Sequence, residues 1–314
     1  MRRSLLGIVA VALAAGPFVL PAFAVTTVTE TMILGLFALS LDLLVGYTGL
    51  DSFGHALAYG LGAYAASFAL LLLGWSLPVV VIGAALIAGL VAVPVGWLCT
   101  RTTGVSFAML TLAFAQLLYA VAYKWNSVTG GSDGLAGVPR TPGPFGITWF
   151  QSKTGYYYFV AVCLVLSYAL CRAFVVSPVG TTLLAIRDHE RKAQALGYNP
   201  RAYKLIVFVV STFFGGLAGA LYAPFAGFAS PDLFFWLLSG QVLIMVIVGG
   251  AGTLVGPIVG AAFFLLLEHY LSTVLESWAL VFGLVFIAVV IFVPQGLWGL
   301  VRRIGEHERG HAVS

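Results

Sequence analysis

The chain has 314 residues, of which 61% are hydrophobic and only 8% are charged, and its mean hydropathy is +1.05. Soluble proteins carry about 25% charged residues, so the 15 basic and 11 acidic side chains are too few to cover a soluble surface. The composition excludes a soluble enzyme, a nucleic-acid-binding protein and a disordered chain, and it predicts a protein embedded in lipid. The net charge of +4 needs no acidic partner, because cytoplasmic loops of membrane proteins are rich in Lys and Arg.

Long apolar stretches predict an all-α, polytopic bundle of transmembrane helices. A spanning helix needs roughly 20 mostly apolar residues. Ten stretches qualify: 5–24, 30–48, 55–73, 77–99, 104–123, 156–176, 204–223, 235–250, 254–272 and 277–294. A membrane β-barrel would show alternating segments of about ten residues, and the run 77–98 does not alternate. We therefore expect one transmembrane domain over residues 1–314, with a cytoplasmic tail at 295–314.

The basic residues orient these spans. With the N-terminus inside, 12 of the 15 Lys and Arg residues fall on the cytoplasmic side, and only Lys124, Arg140 and Lys153 fall outside, as the positive-inside rule requires. Ten spans return the C-terminus to the cytoplasm. The first 24 residues also resemble a secretory signal ending in Ala22-Phe23-Ala24. We expect this segment to be retained; its cleavage would leave nine spans and the same C-terminal orientation.

The largest polar stretch on the cytoplasmic side, 181–204, predicts a short amphipathic helix. Apolar and charged residues alternate in it with helical spacing, and Gly197 followed by Pro200 is a typical helix stop. The residues alone leave three interpretations open. The helix is a solvated connector, an interfacial helix on the lipid surface, or a helix that docks on another protein.

The longest predicted loop, 124–154, lies on the external side. It contains three prolines and a glycine-rich turn composed of Gly130, Gly131, Ser132, Asp133 and Gly134. A loop of about 30 residues in a compact protein is either functional or mobile. We expect it to cover the external mouth of a pathway or to contact an external partner.

The stretch 46–55 predicts a broken helix, since it combines three glycines with several polar residues. Non-helical backbone inside a membrane protein is tolerated only beside protein or water, and broken helices commonly line transport pathways. Asp42 precedes this stretch on an apolar run, where a carboxylate is costly and therefore a functional candidate. The candidate residues of a translocation path are Asp42, Tyr47, Thr48, Ser52 and His55.

Small residues recur at intervals of four in three apolar stretches. One stripe contains Ser211, Gly215 and Gly219; a second contains Gly252, Gly256 and Gly260; a third contains Ala58, Gly62 and Ala66. Such stripes let helix backbones approach closely. We interpret them as packing surfaces.

Catalytic motifs are not evident in this sequence. HExxH, GxSxG and a Walker A lysine are all lacking, and Cys99, Cys163 and Cys171 have no metal-ligand spacing. The sequence therefore predicts no catalytic residue, no metal site and no cofactor. Any ATP-driven step requires another chain.

The polar stretches together resemble one family, the LivM-type permease subunits of branched-chain amino acid ABC importers. The resemblance rests on ALSLDLLVGYTGLDSFGHALAYGLGAY at 38–64, GVSFAMLTLAFAQLLY at 104–119, GGSDGLAGVP at 130–139, AIRDHERKAQALGYNPRAYKL at 185–205, GGLAGALYA at 215–223 and MVIVGGAGTLVGPIVGA at 245–261. Asp42 departs from the family, which typically has Asn there, and Asp51 is an additional carboxylate.

The resemblance implies a permease of the bacterial inner membrane that acts with a second related permease, two cytoplasmic ATPases and an external substrate-binding protein. It also implies that segment 181–203 docks into the ATPase. Leu183, Ile186, Ala195 and Leu196 would then fill the ATPase groove, while Arg187, Asp188, Glu190 and Arg191 make polar contacts and Gly197 ends the helix. The expected substrates are branched-chain or other hydrophobic amino acids. Urea, short amides and aromatic acids remain alternatives within the family, and an ion-coupled secondary transporter is the alternative outside it.

Overall fold

The computed structural model describes residues 16–17, 21–143, 148–274, 277–293 and 296–300. Its main helices are α1 (Ala22–Thr48), α2 (Ala56–Phe68, continued by a π-helical turn at Ala69–Leu73), α3 (Leu77–Cys99), α4 (Val105–Lys124), α5 (Lys153–Val176), α6 (Pro178–Ala195), α7 (Pro200–Ala226), α8 (Trp236–Gly249), α9 (Gly256–Val274) and α10 (Trp278–Phe292). Two short strands, β1 (Leu135–Ala136) and β2 (Phe228–Ala229), pair antiparallel.

The predicted all-α membrane bundle is confirmed. Within the described residues, seven helices are long and apolar enough to cross a membrane, and two shorter apolar helices lie at Trp236–Gly249 and Leu280–Val289. The predicted first span, 5–24, lies largely outside the described residues. The predicted loop 124–154 contains more structure than expected, because it includes short helical turns at Asn126–Thr129, Gly131–Asp133 and Thr148–Gln151 as well as strand β1.

Proline, serine and glycine set the ends of the helices that form the candidate site. The Ser177 hydroxyl accepts a hydrogen bond from the Gly180 N–H at the start of α6, and Pro178 follows it in the first turn. Pro200 occupies the same position in α7. At the other end, Gly49 takes a left-handed conformation, with φ of 65°, and ends α1.

Helices α1, α2 and α7 form the buried centre of the bundle, whereas α4 and α5 expose most of their apolar surface. Two glycines permit the close packing of α2 against α7. A Cβ atom added at Gly219 would lie 1.9 Å from the Tyr59 carbonyl oxygen, and one added at Gly62 would lie 1.9 Å from that of Gly216. Because no side chain fits there, the backbones of the two helices touch directly.

The second predicted stripe is only partly helical, and the prediction is wrong at Gly252. This residue lies in the turn between α8 and α9 with φ of 78°, and α9 begins at Gly256. The turn needs a left-handed residue, which glycine adopts without steric cost. Gly260 lies inside α9, where an added Cβ would be 1.9 Å from the Met245 carbonyl oxygen of α8.

Candidate coupling and translocation site

The chain breaks between α1 and α2, where residues 49–55 are not helical. The five residues expected near a path lie in or beside this break, and all of them are buried: Asp42, Tyr47, Thr48, Ser52 and His55. Asp51, in the same segment, is exposed. The break is therefore mostly covered by the protein and reaches the surface at Gly49 and Asp51, in keeping with the rule that irregular backbone in a membrane protein lies beside protein or water.

The polar groups of the break are satisfied by neighbouring parts of the same chain. The Thr48 hydroxyl donates to the Leu44 carbonyl oxygen at 2.5 Å. The Ser40 hydroxyl donates to the Phe37 carbonyl oxygen, so the His55 Nε2–H donates to Ser40 Oγ at 2.8 Å. His55 also stacks on Phe37, with ring centroids 5.2 Å apart. In this conformation these groups stabilise the closed packing around the break.

Asp42 binds the turn between α8 and α9. Its Oδ1 accepts a hydrogen bond from the Gly252 N–H at 2.6 Å, and its Oδ2 accepts one from the Leu254 N–H at 3.0 Å. Leu254 has a positive φ of 60°, a conformation that costs about 1–3 kcal/mol in a non-glycine residue. The buried carboxylate holds this strained turn against α1.

Arg187 of α6 also contacts the C-terminal part of α1, close to Asp42. Its Nη1 donates to the Gly46 carbonyl oxygen in the last turn of α1, and the Tyr47 hydroxyl donates to the Gly252 carbonyl oxygen at 3.0 Å. The last carbonyls of a helix lack intrahelical partners and attract cations. We call the group Asp42, Gly46, Tyr47, Arg187 and Gly252 the Arg187 junction; it links α6, α1 and the α8–α9 turn.

Gly46 is the point of closest contact in the Arg187 junction. A Cβ atom added there would lie 2.2 Å from the Gly252 nitrogen and 2.5 Å from Asp42 Oδ1. Any side chain would push the turn away from α1. The residue is therefore required by the packing, and it belongs to the stretch 46–55 that the sequence analysis singled out.

The exposure of α6 divides the residues predicted to contact the ATPase into two groups. Leu183 and Ile186 are buried within this chain, so the prediction that they fill a groove on a partner is wrong: their apolar surface is already covered by the bundle. Ala195, Leu196 and Gly197 are exposed, together with Arg187, Asp188 and Arg191. The free face of α6 is thus its C-terminal half.

Glu190 is held inside the chain by an ion pair with α7. The Lys204 ammonium lies 2.8 Å from Glu190 Oε1, and the lysine is 3% exposed. One residue earlier, His189 has a non-helical backbone (φ −152°, ψ 82°) that interrupts α6. The ion pair fixes the start of the second part of α6 to α7, and in this part Ala193 is buried while its neighbours Arg191, Lys192 and Gln194 are exposed.

The loop 124–154 packs against the C-terminal end of α7. Leu135 pairs with Ala229 across the two strands, and Arg140 donates from Nε to the Pro224 carbonyl oxygen at 3.1 Å. Gly130, Gly131 and Gly134 all have positive φ. Ser132 and Asp133 are exposed at the tip. The described part of this loop is therefore anchored to α7, and at its tip the Ser132 hydroxyl donates to Asp133 Oδ1 at 3.1 Å.

Sequence reasoning missed the partners of these residues. Nothing in the pattern paired Lys204 with Glu190, or Asp42 with Gly252, because the members of each pair lie on different structural elements that only the fold brings together. It also left the acidic residues Glu30 and Glu268, which lie in α1 and α9, out of the candidate site. The available signal was the rule that an acidic residue inside an apolar span is a candidate in its own right.

A bundle of apolar helices that contains a broken helix is typical of membrane transport proteins. The chain belongs to the family described as "Branched-chain amino acid transport system / permease component", whose sequence model matches residues 23–293. It is a permease subunit of an ABC importer and a multi-pass inner-membrane protein.

Two curated relatives are similar over most of the chain. It is 30% identical over 320 residues to the high-affinity branched-chain amino acid transport system permease protein LivM of Escherichia coli K12, covering 92% of this chain and 73% of the relative. The LivM protein of Salmonella typhimurium LT2 is similar to the same extent, with 30% identity and the same coverage. No solved structure matches the chain significantly.

Proposed function

We propose that this permease subunit moves branched-chain or other hydrophobic amino acids across the membrane together with a second related permease, two ATPases and an external binding protein. ATP hydrolysis takes place on the ATPase chains. The proposal draws its partners and substrate class from the family. The single structural observation that carries the mechanism is the contact between Arg187 of α6 and Gly46 of α1.

The exposed part of α6 is the proposed docking surface for an ATPase. Asp188, Arg191, Ala195 and Leu196 are exposed there, and Leu196 is 78% exposed. An exposed leucine beside charges of both signs fits a groove on a protein better than the lipid surface, where basic residues are favoured on the polar face. Leu183 and Ile186 anchor α6 to this chain, so a movement of α6 reaches the bundle.

The Arg187 junction is the proposed route of that movement. A displacement of α6 moves Gly46 and the end of α1, because Arg187 is hydrogen-bonded to Gly46. The α8–α9 turn then moves as well, because Asp42 and Tyr47 of α1 are hydrogen-bonded to Gly252. Coupling requires that the ATPase binds differently to two arrangements of this element. We propose that release of the junction opens the break at 49–55, whose polar residues then line the path.

The proposed topology has ten spans, with residues 5–24 as the first span and with α6 and the tail 295–314 in the cytoplasm. It is supported by the uneven distribution of Lys and Arg. The glycine-rich tip of the loop 124–154 then faces outside. Its exposed Ser132 and Asp133 form the proposed contact with the binding protein.

Reconstitution tests the function directly. The chain is placed in proteoliposomes alone, or with its second permease, ATPases and binding protein, and uptake of leucine, urea and benzoate is measured. We expect ATP-dependent leucine uptake by the complete complex only. Uptake by the chain alone, driven by a proton or sodium gradient, would contradict the proposal and favour a secondary transporter.

Charge reversal tests the role of α6. In the complete complex, the double variant Arg187→Glu and Arg191→Glu is expected to insert in the membrane normally and to lose at least tenfold of ATP-dependent uptake. The matched control is Arg101→Glu, an exposed arginine outside α6, which is expected to transport like the wild type. Normal uptake by the double variant would exclude α6 as the coupling segment.

A further inference from the structure

Helix α6 consists of two parts that are bound to different helices. His189 separates them, since its backbone is non-helical (φ −152°, ψ 82°). Before it, Arg187 donates to the Gly46 carbonyl oxygen of α1. After it, Glu190 accepts a hydrogen bond from the Lys204 ammonium of α7 at 2.8 Å. A movement of α6 therefore reaches the bundle at two separate places, and only the first of them belongs to the Arg187 junction.

The ion pair of Glu190 and Lys204 is built around a buried lysine. Lys204 is buried, whereas the Glu190 side chain is 37% exposed. A buried ion pair adds little stability compared with an apolar pair of similar volume, but it holds two elements in one geometry, and the loss of one partner is costly. The pair therefore acts on the relative position of α6 and α7 more than on the stability of the fold.

Helix α7 runs from this ion pair to the loop 124–154. It is one helix of 27 residues, and the 20 positions from Lys204 to Pro224 correspond to about 30 Å along a helix. At its C-terminal end, Arg140 of the loop donates from Nε to the Pro224 carbonyl oxygen at 3.1 Å and from Nη2 to the Phe225 carbonyl oxygen at 3.3 Å. One helix thus connects α6 with the loop whose tip is the proposed contact with the binding protein.

The contacts of α7 along its length favour transmission of a displacement. The helix packs against α1, α2 and α3. Its backbone touches that of α2 at Gly216 and Gly219, and the Ser211 hydroxyl donates to the Ser40 carbonyl oxygen of α1 at 2.5 Å. Close-packed protein interiors have low compressibility and transmit strain. A shift at one end of α7 is therefore passed on to the centre of the bundle and to the other end.

We infer that Lys204 is a positioning residue that passes movements between α6 and α7, and that α7 carries them between the ATPase side and the loop 124–154. The inference rests on the proposed function and deepens it, because it adds a second route beside the Arg187 junction. The two ends of this route are the Glu190–Lys204 pair and the contacts of Arg140. Contact of the binding protein with the loop then changes the activity of the ATPases through α7.

A neutral pair and a reversed pair test Lys204 in the complete reconstituted importer. The neutral pair, Glu190→Gln with Lys204→Met, leaves no buried charge without a partner and should keep most of its melting temperature. Stimulation of ATP hydrolysis by the leucine-loaded binding protein should nevertheless fall at least fivefold. The reversed pair, Glu190→Lys with Lys204→Glu, should regain more than half of the stimulation. Arg201→Met is the matched control, because it removes an exposed positive charge from the first turn of α7, and it should respond like the wild type.

A variant at the other end of α7 tests the route. Arg140→Met leaves the ion pair intact and should also lower the stimulation by the binding protein. Combining it with the neutral pair should bring no further loss, because residues that act on one route are not additive. Losses that multiply in the combined variant would overturn the role of α7 as the common route.

The outcomes distinguish the inference from the proposed function. Normal stimulation in the neutral pair, or a reversed pair that folds without regaining it, would show that the ion pair only stabilises the fold. Normal stimulation in Arg140→Met would likewise overturn the inference, and in each case the proposed function would stand. Absence of ATP-dependent leucine uptake by the wild-type complex would instead contradict the proposed function.

Discussion

Asp42 Oδ1 accepts a hydrogen bond from the Gly252 N–H at 2.6 Å, joining residues that are 210 positions apart in the chain. This contact fixes the turn between α8 and α9 to the last turns of α1. The sequence analysis made Asp42 a candidate residue of the translocation path. In the structure, both of its carboxylate oxygens accept hydrogen bonds from backbone N–H groups. Its chemistry explains why an acidic residue persists on a buried, apolar helix face.

Replacement of Asp42 by Asn should destabilise the protein. Asn offers one acceptor oxygen, and its amide group would point a donor at a backbone N–H, so one buried donor is left unsatisfied at a cost of about 1–3 kcal/mol. Thermal unfolding in detergent measures the effect, and Asp51→Asn is the control because Asp51 is exposed. Equal melting temperatures for the two variants would show that the turn does not depend on Asp42.

The ion pair between Glu190 and Lys204 should show strong coupling in a double-mutant cycle. Lys204 is nearly fully buried, so Glu190→Gln leaves its charge without a partner and lowers the melting temperature. Combining Glu190→Gln with Lys204→Met removes both charges and should recover most of the loss. The pair would be unimportant if the effects of the two single variants simply added.

Gly219→Ala should weaken the contact between α2 and α7. The added Cβ atom would lie 1.9 Å from the Tyr59 carbonyl oxygen, and because that neighbour is backbone, the helices must separate at a cost of about 1–3 kcal/mol. Gly83→Ala on α3 is the matched control, since an added Cβ there meets nothing within 4 Å. Unfolding in detergent compares the two variants; similar stability would argue against direct backbone packing.

Opening of the break at 49–55 should be visible as a change in cysteine accessibility. Ser52 is 1% exposed, so Ser52→Cys, in a chain with Cys99, Cys163 and Cys171 replaced by Ala, should react slowly with a polar thiol reagent at rest. During turnover of the complete importer the rate is expected to rise at least fivefold. Asp51→Cys should react rapidly in both conditions, and an unchanged rate at Ser52 would show that the break stays closed.

The spans could be predicted because each depends on a local property of the sequence. An apolar run such as 77–99 forms a spanning helix in contact with lipid or other apolar helices, independently of the fold of the other segments. The helix Leu77–Cys99 coincides with this run. The end of α6 could be predicted for the same reason, because two neighbouring residues terminate the helix: Gly197, with φ of 90°, and Pro200. The prediction was weaker at Gly252, where spacing alone could not distinguish a helix from a turn.

The direction in which a side chain points could not be predicted in the same way. Leu183 and Leu196 look alike in the pattern of α6, yet Leu183 is fully buried and Leu196 is 78% exposed. The difference arises from the packing of α6 against α1 and α7 and from its interruption at His189. Of these, the packing on α1 depends on a helix that is distant in sequence.

The sequence by itself determined that this chain is a helical membrane protein, where most of its helices begin and end, and which family it resembles, because hydrophobicity and turn residues act locally. The tertiary structure decided which polar groups meet. Arg187 binds Gly46 across 141 positions, and Asp42 binds Gly252 across 210 positions. Such contacts form between segments brought together by burial, and no local pattern encodes them.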